Sequence, residues 1–85
     1  MKRTNDICKI LNHYGRQNQL NKAMEELAEL QVELAHDSDN VKEELADVLV
    51  MAEQIRLMYG INQTELDLMI DYKVDRTLKR MERGE

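Results

Sequence analysis

Two short acidic segments carry the side chains best suited to chemistry in this sequence. The first reads Glu25-Glu26-Leu27-Ala28-Glu29 and the second Glu44-Leu45-Ala46-Asp47. Residues three apart on an α-helix have Cβ atoms about 5–6 Å from each other, so Glu26 with Glu29, and Glu44 with Asp47, can each grip a hard cation. Four carboxylates from two packed antiparallel helices suit one or two Mg²⁺ ions held against a phosphate chain. Pairing alone is weak support. With 17 acids among 85 residues, chance gives about three acidic i,i+3 pairs, and three occur: 26/29, 44/47 and 82/85.

Placement on the helices is more informative. At about 100° per residue, Glu44 lies roughly 40° from the centre of its helix's apolar stripe. Asp47 and Glu26 each lie roughly 100° from the centres of theirs. Acids on a purely solvated face sit nearer the opposite side. Glu29 is nearly opposite and fits such a face. Charge runs are ordinarily solvated helix surface, so these residues by themselves leave a metal site and a solvated surface both open. On the last helix, Leu66, Met69, Ile70, Thr77 and Met81 share a face with Lys73 in its middle. That lysine either snorkels, with its stem packed and its ammonium in water, or is directed at the acids and a phosphate held there. Arg76, Lys79, Arg80 and Arg83 crowd the helix's C-terminal half, where the macrodipole favours positive charge.

The elements that must position these groups are all helical. The chain has no proline, no β-branched runs, and abundant Leu, Glu, Ala, Lys, Gln and Met. Its three glycines, Gly15, Gly60 and Gly84, each follow a stretch of helix formers. The sequence predicts a first helix over 5–14 with Thr4 as N-cap. A second spans 19–35, with the stripe Leu20, Met24, Leu27, Leu30 and Leu34. After the break at His36-Asp37-Ser38-Asp39, Asn40 and Glu43 form a capping-box signature for a third helix. That helix carries Val41, Leu45, Val48, Ala52, Ile55 and Tyr59 on one face and ends at Gly60. Asn62 and Glu65 repeat the signature before a fourth helix reaching about Arg83. The short turn makes the second and third helices an antiparallel pair, with the fourth folded back beside them.

Eighty-five residues allow one domain, 1–85. The charge balance, 12 − 17 = −5, argues against nucleic-acid binding, which needs a basic stripe. The longest apolar run, Val48–Ala52, is far short of the roughly 20 residues that span a bilayer. No signal-peptide apolar stretch follows Met1-Lys2-Arg3, so a soluble, cytoplasmic protein is expected. Cys8 is the lone cysteine, which excludes an intramolecular disulfide and a multi-thiolate zinc site. With neither Trp nor Phe, a domain this small struggles to bury enough apolar surface alone. A homo-oligomer is therefore expected.

With these residues assembled, the chain resembles the MazG-like nucleotide pyrophosphohydrolases, and in length the compact phage-type members. The family pattern is E-E-x-x-E followed by E-x-x-D on neighbouring helices. Glu25, Glu26 and Glu29 match the first part, Glu44 and Asp47 the second. Asp71-Tyr72-Lys73-Val74-Asp75-Arg76 is similar to the Lys-x-x-Arg segment of many members. The resemblance covers residues 16–80. It implies an all-α bundle completed by dimerisation or tetramerisation, with Mg²⁺ (Mn²⁺ in its place) ligated by Glu26, Glu29, Glu44 and Asp47. It further implies hydrolysis of a nucleoside triphosphate to the monophosphate and pyrophosphate. Lys22, Lys73 and Arg76 would meet phosphate oxygens, and Glu25 would serve as a base or support the ligands. Many members carry a Trp before the second helix or an Asn two residues before the lysine. Here there is no Trp, and Asp71 holds the latter position, so base preference does not carry over. The alternatives are a phosphoribosyl-ATP pyrophosphohydrolase-like activity and a non-catalytic helical interaction module.

Overall fold

Nothing in the sequence interrupts a helix except the glycines and the Asp37 turn, and the local structure follows. The computed structural model describes residues 1–85 as α1 (Thr4–Tyr14), α2 (Arg16–Ala35), α3 (Val41–Met58) and α4 (Gln63–Glu82), with no strand. The fold is all-α, and none of its helices is long and apolar enough to cross a membrane. Gly15 alone joins α1 to α2. Its φ of 89° is one that a side chain would strain, and its N–H donates to the Leu11 carbonyl at 2.8 Å. Because no loop is needed there, α2 begins three residues earlier than the expected Gln19.

Capping follows the expected residues only in part. Asn62 is extended (φ −70°, ψ 135°) and its side-chain oxygen accepts from the N–H groups of Thr64 and Glu65. Asn40 instead has helical angles (φ −86°, ψ 0°) and makes no side-chain cap. An N-cap works from an extended backbone, and here Ser38 organises the turn. Its hydroxyl hydrogen-bonds the Glu33 carboxylate and accepts the Asn40 N–H at 3.1 Å. Thr4 is likewise not a cap; its hydroxyl donates to Glu53 Oε2 on α3 at 2.6 Å.

α2 and α3 pack antiparallel, and α1 lies against both. Arg16, at the start of α2, donates to the Met58 carbonyl at the end of α3 and stacks its guanidinium 4.6 Å from the Tyr59 ring centre. The seam between them differs from the expected stripes. On α2 the inward residues are Gln19, Ala23, Glu26, Leu30 and Glu33. On α3 they are Val41, Glu44, Val48, Met51, Ile55 and Met58, with Gln54 wholly buried. Both sets recur at alternating steps of three and four, the spacing of a helix–helix seam. Met24, Leu27 and Leu34 on α2, and Leu45, Ala52 and Tyr59 on α3, face outward. Leu30, Val41, Val48 and Ile55 are common to stripe and seam, and the seam is turned from the stripe by about 80° on α2 and about 50° on α3. The small Ala23 is buried in the seam, and polar side chains fill much of the rest. Only Ile7, Ala23 and Met51 are buried apolar residues, against four buried polar ones.

The expected return of the fourth helix does not occur. α4 has no buried residue and no helix packed along it. The radius of gyration, 15.5 Å, exceeds the roughly 12 Å of a compact domain this long. At the base of α4, Arg56 links Glu53 Oε1 (2.5 Å) to the Ile61 carbonyl (2.8 Å), holding the turn after α3.

Candidate metal centre

The three-and-four spacing that places Ala23 in the seam also places Glu26 there, one turn on. On α3 it brings Glu44 opposite, with the exposed Asp47 one turn along the same edge. Carboxylate oxygens of Glu26, Glu44 and Asp47 lie within 4.8 Å of one another. Glu26 is only 5% exposed. Its Oε1 meets the Lys22 ammonium at 3.0 Å. Its Oε2 and Glu44 Oε2 are shielded from water with no hydrogen-bond donor.

Shielded carboxylate oxygens without a partner are costly, and the cost is visible in Glu44. Its pKa is pushed up to about 7, first by desolvation and then by the charges of Glu29, Glu26 and Asp47. Lys22 moves upward as well, through its hydrogen bond to Glu26, the Glu26 charge and the Glu25 charge. These donors fit a hard cation. They are all oxygens, carry net negative charge, and include two orphaned atoms that a metal ion would satisfy.

Not every expected residue joins the cluster. Glu29 lies outside it, exposed, but close enough to raise Glu44. With Glu25, Glu33 and Glu44 it borders a groove of about 490 Å³. Glu25, also exposed, borders both that groove and a second cleft between α1, α2 and α3. Lys73 and Arg76 are not brought to the acids within the chain, because α4 packs on neither helix that carries them. Arg76 instead lies with Lys79 and Arg83 beside Tyr72, its guanidinium 5.8 Å from the ring centre.

Sequence reasoning missed Gln19 and Gln54. Both are buried polar residues in the same second cleft. A signal existed: each stands seven residues from a cluster acid, Gln19 from Glu26 and Gln54 from Asp47, so each shares that acid's helix face. No protein-family model, curated protein or solved structure matches this chain.

Proposed function

We propose that the chain is a Mg²⁺-dependent hydrolase. It adds water across a phosphoanhydride bond of a nucleoside triphosphate and releases the monophosphate and pyrophosphate. The observation that supports this most is the convergence of Glu26, Glu44 and Asp47 oxygens within 4.8 Å, two of the carboxylates carrying an orphaned shielded oxygen. Those three residues would hold Mg²⁺, or Mn²⁺ in its place, with Glu29 adding a carboxylate from the next turn. Bound there, the ion would neutralise phosphate charge and lower the pKa of a water. Lys22 can exchange its Glu26 partner for a phosphate oxygen when substrate arrives. Glu25, solvated beside the cluster, can take the proton released by the attacking water. Lys73 and Arg76 would bind phosphate from α4 of a second copy, in a homo-oligomer.

The test is direct. Millimolar Mg²⁺ should raise the thermal midpoint, and nucleoside triphosphates should release pyrophosphate only when Mg²⁺ is present. A second reading, a non-catalytic interaction module, draws support from the many exposed large apolar residues, among them Leu68, Met69 and Met81. Absence of both Mg²⁺ effects would favour it and end the hydrolase reading.

A further inference from the structure

Gln54 is the most deeply buried side chain in the molecule, with no exposed surface, yet neither its carboxamide oxygen nor its nitrogen has a hydrogen-bond partner. A buried amide left unpaired is destabilising, because its lost hydration is not replaced. It sits at the floor of a cleft of about 510 Å³ between α1, α2 and α3, within the size range of small-molecule sites. Ile10, Tyr14, Val50 and Met51 supply apolar and aromatic walls, and Gln19 a second, largely buried carboxamide. Neighbouring amides are already engaged. Asn18 donates to the Tyr14 carbonyl at 2.8 Å, and the Asn21 oxygen accepts from Gln17 at 3.0 Å. Gln54 is the carboxamide of this cleft with both donor and acceptor shut off from water and unpaired.

We propose that this cleft is the nucleobase subsite, with Gln54 reading the base edge; the inference rests on the nucleotide-hydrolase reading above. A carboxamide presents one donor and one acceptor side by side, matching the adjacent donor and acceptor on a nucleobase edge. The apolar walls and the Tyr14 ring suit the base's flat faces. Geometry connects the cleft to the acids. Gln19 precedes Glu26 by seven residues on α2, and Gln54 follows Asp47 by seven on the antiparallel α3. Both steps therefore run in the same direction, each about 10 Å at 1.5 Å per residue. A ribose and its first phosphate bridge that separation. Lys22 and Glu25 stand along the way, bordering the cleft, and Lys22 touches Glu26. Tyr14 and Ile10 border the cleft and are about half-exposed, and a rotamer change of such exposed side chains would admit the base.

The experiment follows the side-chain amide signals of Gln54 by two-dimensional NMR in the full chain. Adenosine, guanosine, cytidine, uridine and thymidine are titrated to millimolar concentration, with a separate Mg²⁺ titration. At least one nucleoside should shift the Gln54 signals saturably. Gln54→Leu should weaken that binding tenfold or more, bind Mg²⁺ like the parent, and melt at a higher temperature because the orphaned amide is gone. Opposed effects on binding and stability are not expected of a merely structural glutamine. If no nucleoside moves Gln54 while Mg²⁺ still binds, the subsite is overturned and the metal reading stands. If a nucleoside binds but Mg²⁺ does not, the subsite stands and the hydrolase reading falls. Unchanged nucleoside affinity in Gln54→Leu overturns the role given to Gln54.

Discussion

Glu44 shows what the acidic cluster does to its own members. Its carboxyl in the folded chain has a pKa near 7 against an ordinary value of 4.5. Above pH 7 it is ionised whether folded or not, and the folded state bears the full desolvation and repulsion. Below about 4.5 it is protonated in both states and that cost is absent. The metal-free protein should therefore gain stability from Glu44 as pH falls from above 7 toward 4.5. Thermal melts of wild type against Glu44→Gln should show that difference, with the variant the more stable at pH 8. Saturating Mg²⁺ should reverse the ranking, since the ion favours the ionised carboxylate. Asp47→Ala should abolish pyrophosphate release while leaving helix content intact, and metal-free stability should hold or rise because one repelling charge is lost. Full activity in that variant would remove Asp47 from the metal centre.

At the scale of elements, α1, α3 and the base of α4 are tied by a small polar clasp. Glu53 is buried, and its pKa is lowered, first by the Arg56 hydrogen bond and then by that of Thr4. A depressed carboxylate contributes stability above its unfolded value, lost as pH falls through the folded one. Thr4→Ala deletes one hydrogen bond to a charged acceptor and should cost on the order of 2 kcal/mol in denaturant unfolding. It should also reduce the acid-side loss. Asn62 supplies the other element-scale prediction. Its cap satisfies two N–H groups of a helix that has no buried residue. Asn62→Ala should cost about 1 kcal/mol locally and appear as reduced helicity by circular dichroism. Such a loss is expected only while α4 has no partner.

The whole molecule is an open shape with a polar seam inside and much apolar surface outside. Leu27, Leu34, Leu45 and Leu49 on α2 and α3, and Leu68, Met69, Ile70 and Met81 on α4, are each at least 45% exposed. A standard interface removes roughly 800 Å² per partner from water, and a second copy of the chain offers the same faces in return. Sedimentation at micromolar concentration should give a dimer or tetramer, and Leu68→Glu with Met81→Glu should shift it toward the 10.0 kDa monomer. If α4 of one copy serves the acids of another, Lys73→Met should lower kcat/KM by an order of magnitude or more. Mixing it with Asp47→Ala should restore part of the activity, because intact sites then form between copies. A stable, fully active monomer would refute both the oligomer and the role of Lys73.

Helix formation is a local matter, and there the residues spoke clearly. Four helices, the stops at Gly15 and Gly60, the Asn62 cap and the two acidic pairs were all legible, because propensity, capping and the 3.6-residue period depend on near neighbours. Which face turns inward is not local. Leu20, Met24, Leu27, Leu30 and Leu34 form the most apolar stripe of α2, yet Ala23 and Glu26 define its seam, because the choice depends on how two surfaces fit and on what else covers the stripe. The same partial rotation of both helices gathered Glu26, Glu44 and Asp47, left Glu29 at the rim, and buried Gln54 beneath the cleft. Near-neighbour chemistry along the chain set the helices and supplied the acids. Only tertiary packing decided which of those acids meet, which carboxamide is left unpaired, and that α4 stands apart, since each outcome depends on contacts between residues far apart in the chain.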